Sequence, residues 1–282
     1  MSITDNNKLL LTMFVSGRYE EYIPFFLYFA QKAYPEYYSL IIYDGQLSRY
    51  IQRAIKPLDR AKYRIKEVDF KLKNESDIKF MRWLYIPSEY FKFENVYIGD
   101  VDIWLMREKP ALLEKHLAIC EREKLPFSNT CGIDDPETRG NRVTGLHFFR
   151  MYDYMKSMKS FINHYNYLFN HNNVEAFKND VLSGKYDNQK ALYVLLQHAF
   201  KTIPNHTDFY YHGFHIGHSR VPGRWKQLLE NSPTKEADYQ AYYEQLKPLM
   251  QTEIYRDMYD NAADFVQNEI DEMVKELEAK YE

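Results

Sequence analysis

"ENVYIGDVDIWLM", residues 94–106, sets two aspartates, Asp100 and Asp102, inside an otherwise apolar run. Such a segment reads as a buried strand. An unpaired carboxylate there is strongly unfavourable unless something compensates its charge. What compensates these two decides how the rest of the chain is read.

Upstream, "KLLLTMFVSG" (residues 8–17) is a short apolar run closed by Ser-Gly, the pattern of a buried strand. "YEEYIPFFLYFAQKAYP" (19–35) carries helical spacing up to Pro35, and "YYSLIIYDG" (37–45) is a second apolar strand closed by Asp44-Gly45. Strand, helix, strand with no polar alternation predicts a βαβ unit in a parallel sheet covered on both faces. A third strand is expected at "YRIKEVDF" (63–70). A helix is expected at "SDIKFMRWLYIP" (76–87), with Ser76 as N-cap and Pro87 beyond its end. In open α/β sheets ligands bind outside the carboxyl ends of strands, which is where Asp100 and Asp102 fall.

Downstream, helices are expected in "ALLEKHLAICEREKL" (111–125), "MYDYMKSMKSFINHYNYLF" (151–169) and "YDNQKALYVLLQHAF" (186–200), and a strand in "RVTGLHFFRM" (142–151). "TDFYYHGFHIGHSRVPGRW" (207–225) reads as a loop or strand dense in His, Gly and aromatics. Two helices follow Pro233, broken near Pro248. The last, about residues 251–281, carries an apolar stripe through Ile254, Met258, Phe265, Ile270, Val274 and Leu277 on an acidic background. This divides the chain into a catalytic domain, 1–230, and a helical C-terminal extension, 231–282. The extension is expected to pack on the domain or to form a homodimer rather than to bind an anionic membrane.

Composition narrows the classes. A hydrophobic content of 45% with 27% charged residues is that of an ordinary globular chain. The net charge of −3, without a basic run, argues against a nucleic-acid partner. Cys120 and Cys131 lack CxxC spacing, so neither a zinc site nor a disulfide framework is expected, and a reducing compartment fits. The N-terminus has no basic start or small-residue cleavage site, and no apolar run is long enough for a transmembrane segment. The chain reads as cytoplasmic. The 26 tyrosines and 18 phenylalanines suit sugar or base stacking, although genome composition accounts for such a bias more often.

In an extended chain residues i and i+2 point to one side, so Asp100 and Asp102 are expected to converge on a divalent cation, Mn²⁺ or Mg²⁺. A substrate diphosphate would complete its shell and be neutralised as it leaves. The block "DIKFMRWLYIPSEYFKFENVYIGDVDIWLM" (77–106) resembles the segment of GT-A-fold glycosyltransferases in which an Arg-bearing helix leads into a strand and the Asp-x-Asp motif. The similarity is to the glycogenin-like and bacterial lipopolysaccharide galactosyltransferase group, and spans about residues 9–225, with only the motif block specific. It implies a GT-A, Rossmann-like nucleotide-sugar domain with a mostly parallel central sheet. It also implies a metal-dependent glycosyltransferase, moving a hexose from a nucleotide-sugar donor, UDP-sugar favoured, to a glycan or glycolipid acceptor. Surface polysaccharide synthesis is the setting it suggests.

By that resemblance Asp100 and Asp102 are the metal pair, and Arg82, with Lys79 one turn before it, lies near the donor. The family's late metal-binding histidine would be His215, with His212 next, although the spacing in "YYHGFHIGHSRVPGRW" departs from the family pattern. Arg220, Arg224 or Lys226 would stand in for its phosphate-binding lysine. Val15 and Ser16 would line the first donor loop, Tyr19 would stack on the base, and Asp44 would hold a ribose hydroxyl. Thr144-Gly145 stands where the family has an Asn-x-Gly strand facing the sugar. Asp187 and Gln189 are the candidates for catalytic sugar or acceptor contacts, with a plain helix cap an equal reading of Asp187. An inverting enzyme needs a carboxylate base near the acceptor, for which Asp187, Asp134 or Asp135 would serve, whereas the resemblance leans to retention. A haloacid-dehalogenase-type phosphatase has its Asp-x-Asp on the first strand and a Thr or Val two residues on. Here Trp104 follows and three strands precede. A nucleotidyltransferase would need a Gly-rich, Lys-bearing phosphate loop that the N-terminus lacks. A non-catalytic nucleotide-sugar or glycan-binding module is the remaining alternative, and the two aspartates with the His-rich loop weigh against it.

Overall fold

The computed structural model describes residues 7–70, 75–129, 143–170, 188–202, 212–231 and 233–282. Its strands are β1 (Leu9–Ser16), β2 (Tyr38–Asp44), β3 (Tyr63–Val68), β4 (Asn95–Gly99), β5 (Ile103–Leu105), β6 (Phe127–Ser128), β7 (His147–Arg150) and β8 (Gly213–His215). Its helices are α1 (Ile23–Ala33), α2 (Arg49–Ala54), α3 (Glu75–Leu84), α4 (Leu112–Glu123), α5 (Met151–Asn170), α6 (Asn188–Phe200), α7 (Arg224–Asn231), α8 (Pro233–Met250), α9 (Glu253–Asp260) and α10 (Asp264–Tyr281). No described helix is long and apolar enough to cross a membrane.

The fold is α/β. Six strands form a sheet in the order β3-β2-β1-β4-β7-β6, with β2–β3 and β1–β4 parallel and β4–β7 and β6–β7 antiparallel. The apolar runs that predicted buried strands are so placed: Leu9, Leu10, Leu40 and Ile41 have no exposed surface. The run 94–106 holds two strands, with Asp100 and Asp102 just past the end of the first, where a strand end was expected. β4 ends at Gly99, residues 100–102 turn, and β5 enters a separate sheet by antiparallel pairing with β8, Trp104 opposite Phe214. The turn breaks the i, i+2 alternation on which convergence of the two aspartates rested.

The chain folds as two compact units. The first comprises Met1–Phe14, Asp69–Asp100 and Leu113–Phe209. In it α3, α5 and α6 pack together, and Phe127 and Phe149 of the sheet form a ring cluster with Tyr154 of α5 and Phe200 of α6. The second comprises Val15–Val68, Val101–Leu112 and Tyr210–Glu282. There Trp104 of β5 stacks on Phe29 of α1 at 4.3 Å and meets Tyr255 of α9 edge-on at 5.9 Å. Aromatic pairs of this kind add about 1 kcal/mol each beyond the area they bury. Tyr28 ties α1 to the start of α9 through Thr252 Oγ1 at 2.8 Å, and Thr252 caps α9 by accepting from Tyr255 N.

The C-terminal helices therefore share a unit with α1, β5 and β8. The expected break near Pro248 falls at residues 251–252, and the final helix expected from 251 is two, α9 and α10. The buried face of α10 is Val266, Ile270, Met273 and Leu277, one residue off the expected stripe at Phe265 and Val274. Restarting the helix at Asp264 resets its rotation, and this face is covered within the chain itself.

Candidate functional site

Asp102 follows the β4 turn and is buried. Its backbone carbonyl accepts from Ile216 N at 2.8 Å, which fixes the β5–β8 pair against the helical turn at 216–220. That turn carries the partners of its carboxylate. His215 Nε2 lies 3.3 Å from Oδ1, and Arg220 Nη2 lies 2.9 Å from Oδ2. Burial alone would raise the Asp102 pKa, but His215 and Arg220 outweigh it and hold the carboxyl down at about 2. Arg220 in turn bonds Glu269 and the Tyr22 hydroxyl, and its guanidinium packs over the rings of Tyr19 and Tyr22. Burial opposes its charge, yet Glu269, Asp102 and Tyr22 together raise its pKa. Gly217 makes room for this cluster. A Cβ there would stand 2.8 Å from Asp102 Oδ2, 2.9 Å from Arg220 Nη1 and 3.1 Å from His215 Nε2.

The first unit gathers a second cluster. Arg82, near the end of α3, donates from Nη1 to Asp100 Oδ1 at 2.9 Å and from Nη2 to Asn188 Oδ1 at 3.1 Å. Its guanidinium lies over the Trp83 ring at 4.3 Å, while Trp83 Nε1 donates to the Asn188 carbonyl. Gly145 closes on it from another direction, since a Cβ there would come within 2.9 Å of Nη2. Asn129 positions that glycine. Its Oδ1 accepts from Thr144 N and Oγ1, and its Nδ2 donates to Thr144 O. Buried His147 completes the support, its Nδ1 3.3 Å from Asn129 Nδ2. Burial, with Arg82 adding to it, lowers the His147 pKa to about 3.

The residues singled out from sequence thus fall into separate groups. Asp102, His215 and Arg220 come together, with Tyr19 under the arginine, and Asp100, Arg82 and Gly145 come together. His212, expected beside His215, is instead bound through Nδ1 to Glu108 Oε2 at 2.7 Å, in a buried group that includes Tyr242 OH on Glu108 Oε1. It precedes β8 with φ +61°, and its ring is held by Glu108 while that of His215 meets Asp102. Lys79 is exposed on α3, while Arg82, one turn on, is only 11% exposed. Val15 has its side chain in the core and offers only backbone, Ser16 is half-buried at the end of β1, and Asp44 ends β2 opposite Val68. Gln189 is half-buried in the first turn of α6. Asp187, Asp134, Asp135 and Cys131 lie outside the described residues.

Asn188, Asn129 and Glu269 were not singled out. Asn188 sat between two named candidates and was within reach, and the glycine at 217 was noted only as part of a Gly-rich loop. Asn129 and Glu269 carried no local signal.

Among the described residues no group of three or more His, Cys, Asp or Glu could hold a metal ion. Asp102 and His215 supply two donors. Ligands of an octahedral cation at about 2.1 Å stand about 3 Å apart, so the 3.3 Å separation of Oδ1 and Nε2 fits two adjacent positions.

No protein-family model matches the sequence, and no curated protein matches it. Among solved structures the chain is similar to the galactosyltransferase LgtC in complex with donor and acceptor sugar analogues, with 13% identity over 66% of this chain and 70% of that one, TM-score 0.43. It is also similar to the glycosyltransferase GlyE of Streptococcus pneumoniae, with 10% identity over 96% and 64%, TM-score 0.47. A third is S. aureus TarS 1–349, with 12% identity over 97% and 81%, TM-score 0.40.

Proposed function

We propose that the chain is a metal-dependent glycosyltransferase that moves a sugar, with a hexose and a UDP-sugar donor favoured, onto a glycan or glycolipid, in the setting of polysaccharide synthesis. The observation that carries the proposal is the buried Asp102 carboxylate, held ionised beside His215 Nε2 and Arg220 in the turn after a parallel strand. Asp102 and His215 would hold Mn²⁺ or Mg²⁺, which would neutralise the diphosphate of the departing nucleotide. Arg220, fixed and always charged, would bind a diphosphate oxygen through the planar fork that suits phosphate. Tyr19, whose ring borders Arg220, would stack on the nucleobase. Within the other unit, Arg82 and Asp100, braced by Asn188 and Gly145, form a second polar cluster.

Thermal stabilisation by UDP and GDP, with and without Mn²⁺, tests this in the wild type and in Asp102→Ala. A nucleotide at 100 times its Kd adds about 2.7 kcal/mol to the folded state. The proposal expects Mn²⁺-dependent stabilisation by one nucleotide and its loss in the variant. Silence towards every nucleotide would sink it.

A further inference from the structure

Two consecutive residues of the 216–220 turn are tied to a single residue of α10. Ser219 Oγ donates to the backbone carbonyl of Glu269 at 2.6 Å, and Arg220 Nε donates to its Oε1 at 2.9 Å. Tyr22 closes the arrangement, donating its hydroxyl to Glu269 Oε2 at 2.5 Å and accepting from Arg220 Nη2 at 2.9 Å. Trp225 Nε1 holds Ser219 Oγ from behind at 2.9 Å. The Glu269 side chain is 14% exposed and that of Arg220 is 31% exposed, so the pair is shielded but not sealed.

A guanidinium is a rigid planar fork, and fixing Nε and one Nη fixes where its remaining N–H bonds point. With Glu269 on Nε and Tyr22 on Nη2, the Arg220 fork is left facing Asp102 Oδ2 at 2.9 Å. Without them the long side chain would be free to choose rotamers that leave the carboxylate. The double attachment, through backbone and side chain of one residue, is more than helix packing needs.

We infer that Glu269 is a positioning residue, which from the C-terminal helix aims Arg220 at Asp102. The helix is thereby a working part of the Asp102–His215–Arg220 cluster. That the cluster takes a diphosphate rests on the proposed function, whereas the hold of Glu269 on Arg220 stands on geometry alone.

Two readouts on the full chain separate these claims. In a ¹⁵N–¹H spectrum of arginine side chains, the Arg220 Nε–H, assigned by its disappearance in Arg220→Lys, is expected to exchange slowly with water. It should exchange at least tenfold faster in Glu269→Ala, with partial protection regained in Glu269→Gln, whose amide oxygen still accepts. Equal protection in wild type and Glu269→Ala overturns the inference. The second readout is UDP affinity in the presence of Mn²⁺. Glu269→Ala and Arg220→Ala should each weaken it about tenfold, and the double variant no further, because Glu269 acts through Arg220. Additive losses overturn the inference. A wild type that binds no nucleotide, but whose Arg220 signal responds to Glu269→Ala, supports the inference and removes the donor-site reading instead.

Discussion

His147 should make the first unit acid-sensitive between about pH 6.5 and pH 3. Its ring has no exposed surface and lies among Trp83, Phe127, Phe149 and Tyr154, with centroids 5.3 to 6.0 Å away. Asn129 Oδ1 is committed to Thr144 N, so Nδ2 faces the imidazole, and Nδ1 of His147 must accept. Protonation would remove that acceptor and place a cation near Arg82. The folded pKa is lowered from 6.5 to about 3. The unfolded chain therefore binds the extra proton throughout that interval, so stability is full above about pH 6.5 and falls as pH drops towards 3. At 1.36 kcal/mol per unit, moving from pH 7 to pH 5 costs about 2 kcal/mol through this one group. His147→Phe fills similar volume and cannot titrate. Its loss of the Asn129 acceptor is the same at both pH values and cancels in the difference. Urea unfolding followed by circular dichroism at pH 7 and pH 5, for wild type and variant, should show the variant losing about 2 kcal/mol less. Identical pH dependence in the two proteins would refute the claim that buried, neutral His147 underlies the effect.

Asp102→Asn should flatten a second acid limb. Its folded pKa of about 2 lies below the usual 3.8, so its contribution is present above pH 4 and lost as pH falls through 2, about 2 kcal/mol in all, which acid-unfolding curves of wild type and variant would resolve. Gly217→Ala should leave the fold intact but force apart Asp102, Arg220 and His215, lowering turnover or Mn²⁺–nucleotide affinity at least tenfold by calorimetry. Gly145→Ala should displace the Arg82 guanidinium and act like Arg82→Lys, which cannot bridge Asp100 and Asn188 at once. If the two variants differ widely in donor affinity, Gly145 has a role other than making room for Arg82.

The parts of this protein legible in its sequence are those governed by local pattern. Unbroken apolar runs bounded by Gly or Pro read correctly as β1, β2 and β4, because a strand covered on both faces admits no polar alternation. The α/β class followed from these runs and from the helical spacing between them. Asp102 was identifiable because a charged group in an apolar run demands a partner, whereas His215 and Arg220 were named through the resemblance to GT-A-fold glycosyltransferases. That a strand ends near Asp100 was legible, but the start of a second strand in another sheet at Ile103 was not. Whether "VYIGDVDIWLM" continues as one strand depends on whether β5 pairs with β8, more than a hundred residues later, and residue spacing says nothing of such a pairing. The same limit hid Glu269, an ordinary acidic residue on an amphipathic helix until Arg220 and Tyr22 are brought to it from 49 and 247 positions away. Asn129 acquires its function only where β6 and β7 lie side by side. The sequence by itself determined which segments are buried and which side chains carry charge that must be answered. The tertiary structure alone decided which group answers which, because long-range hydrogen bonds and ion pairs are chosen by packing rather than by position along the chain.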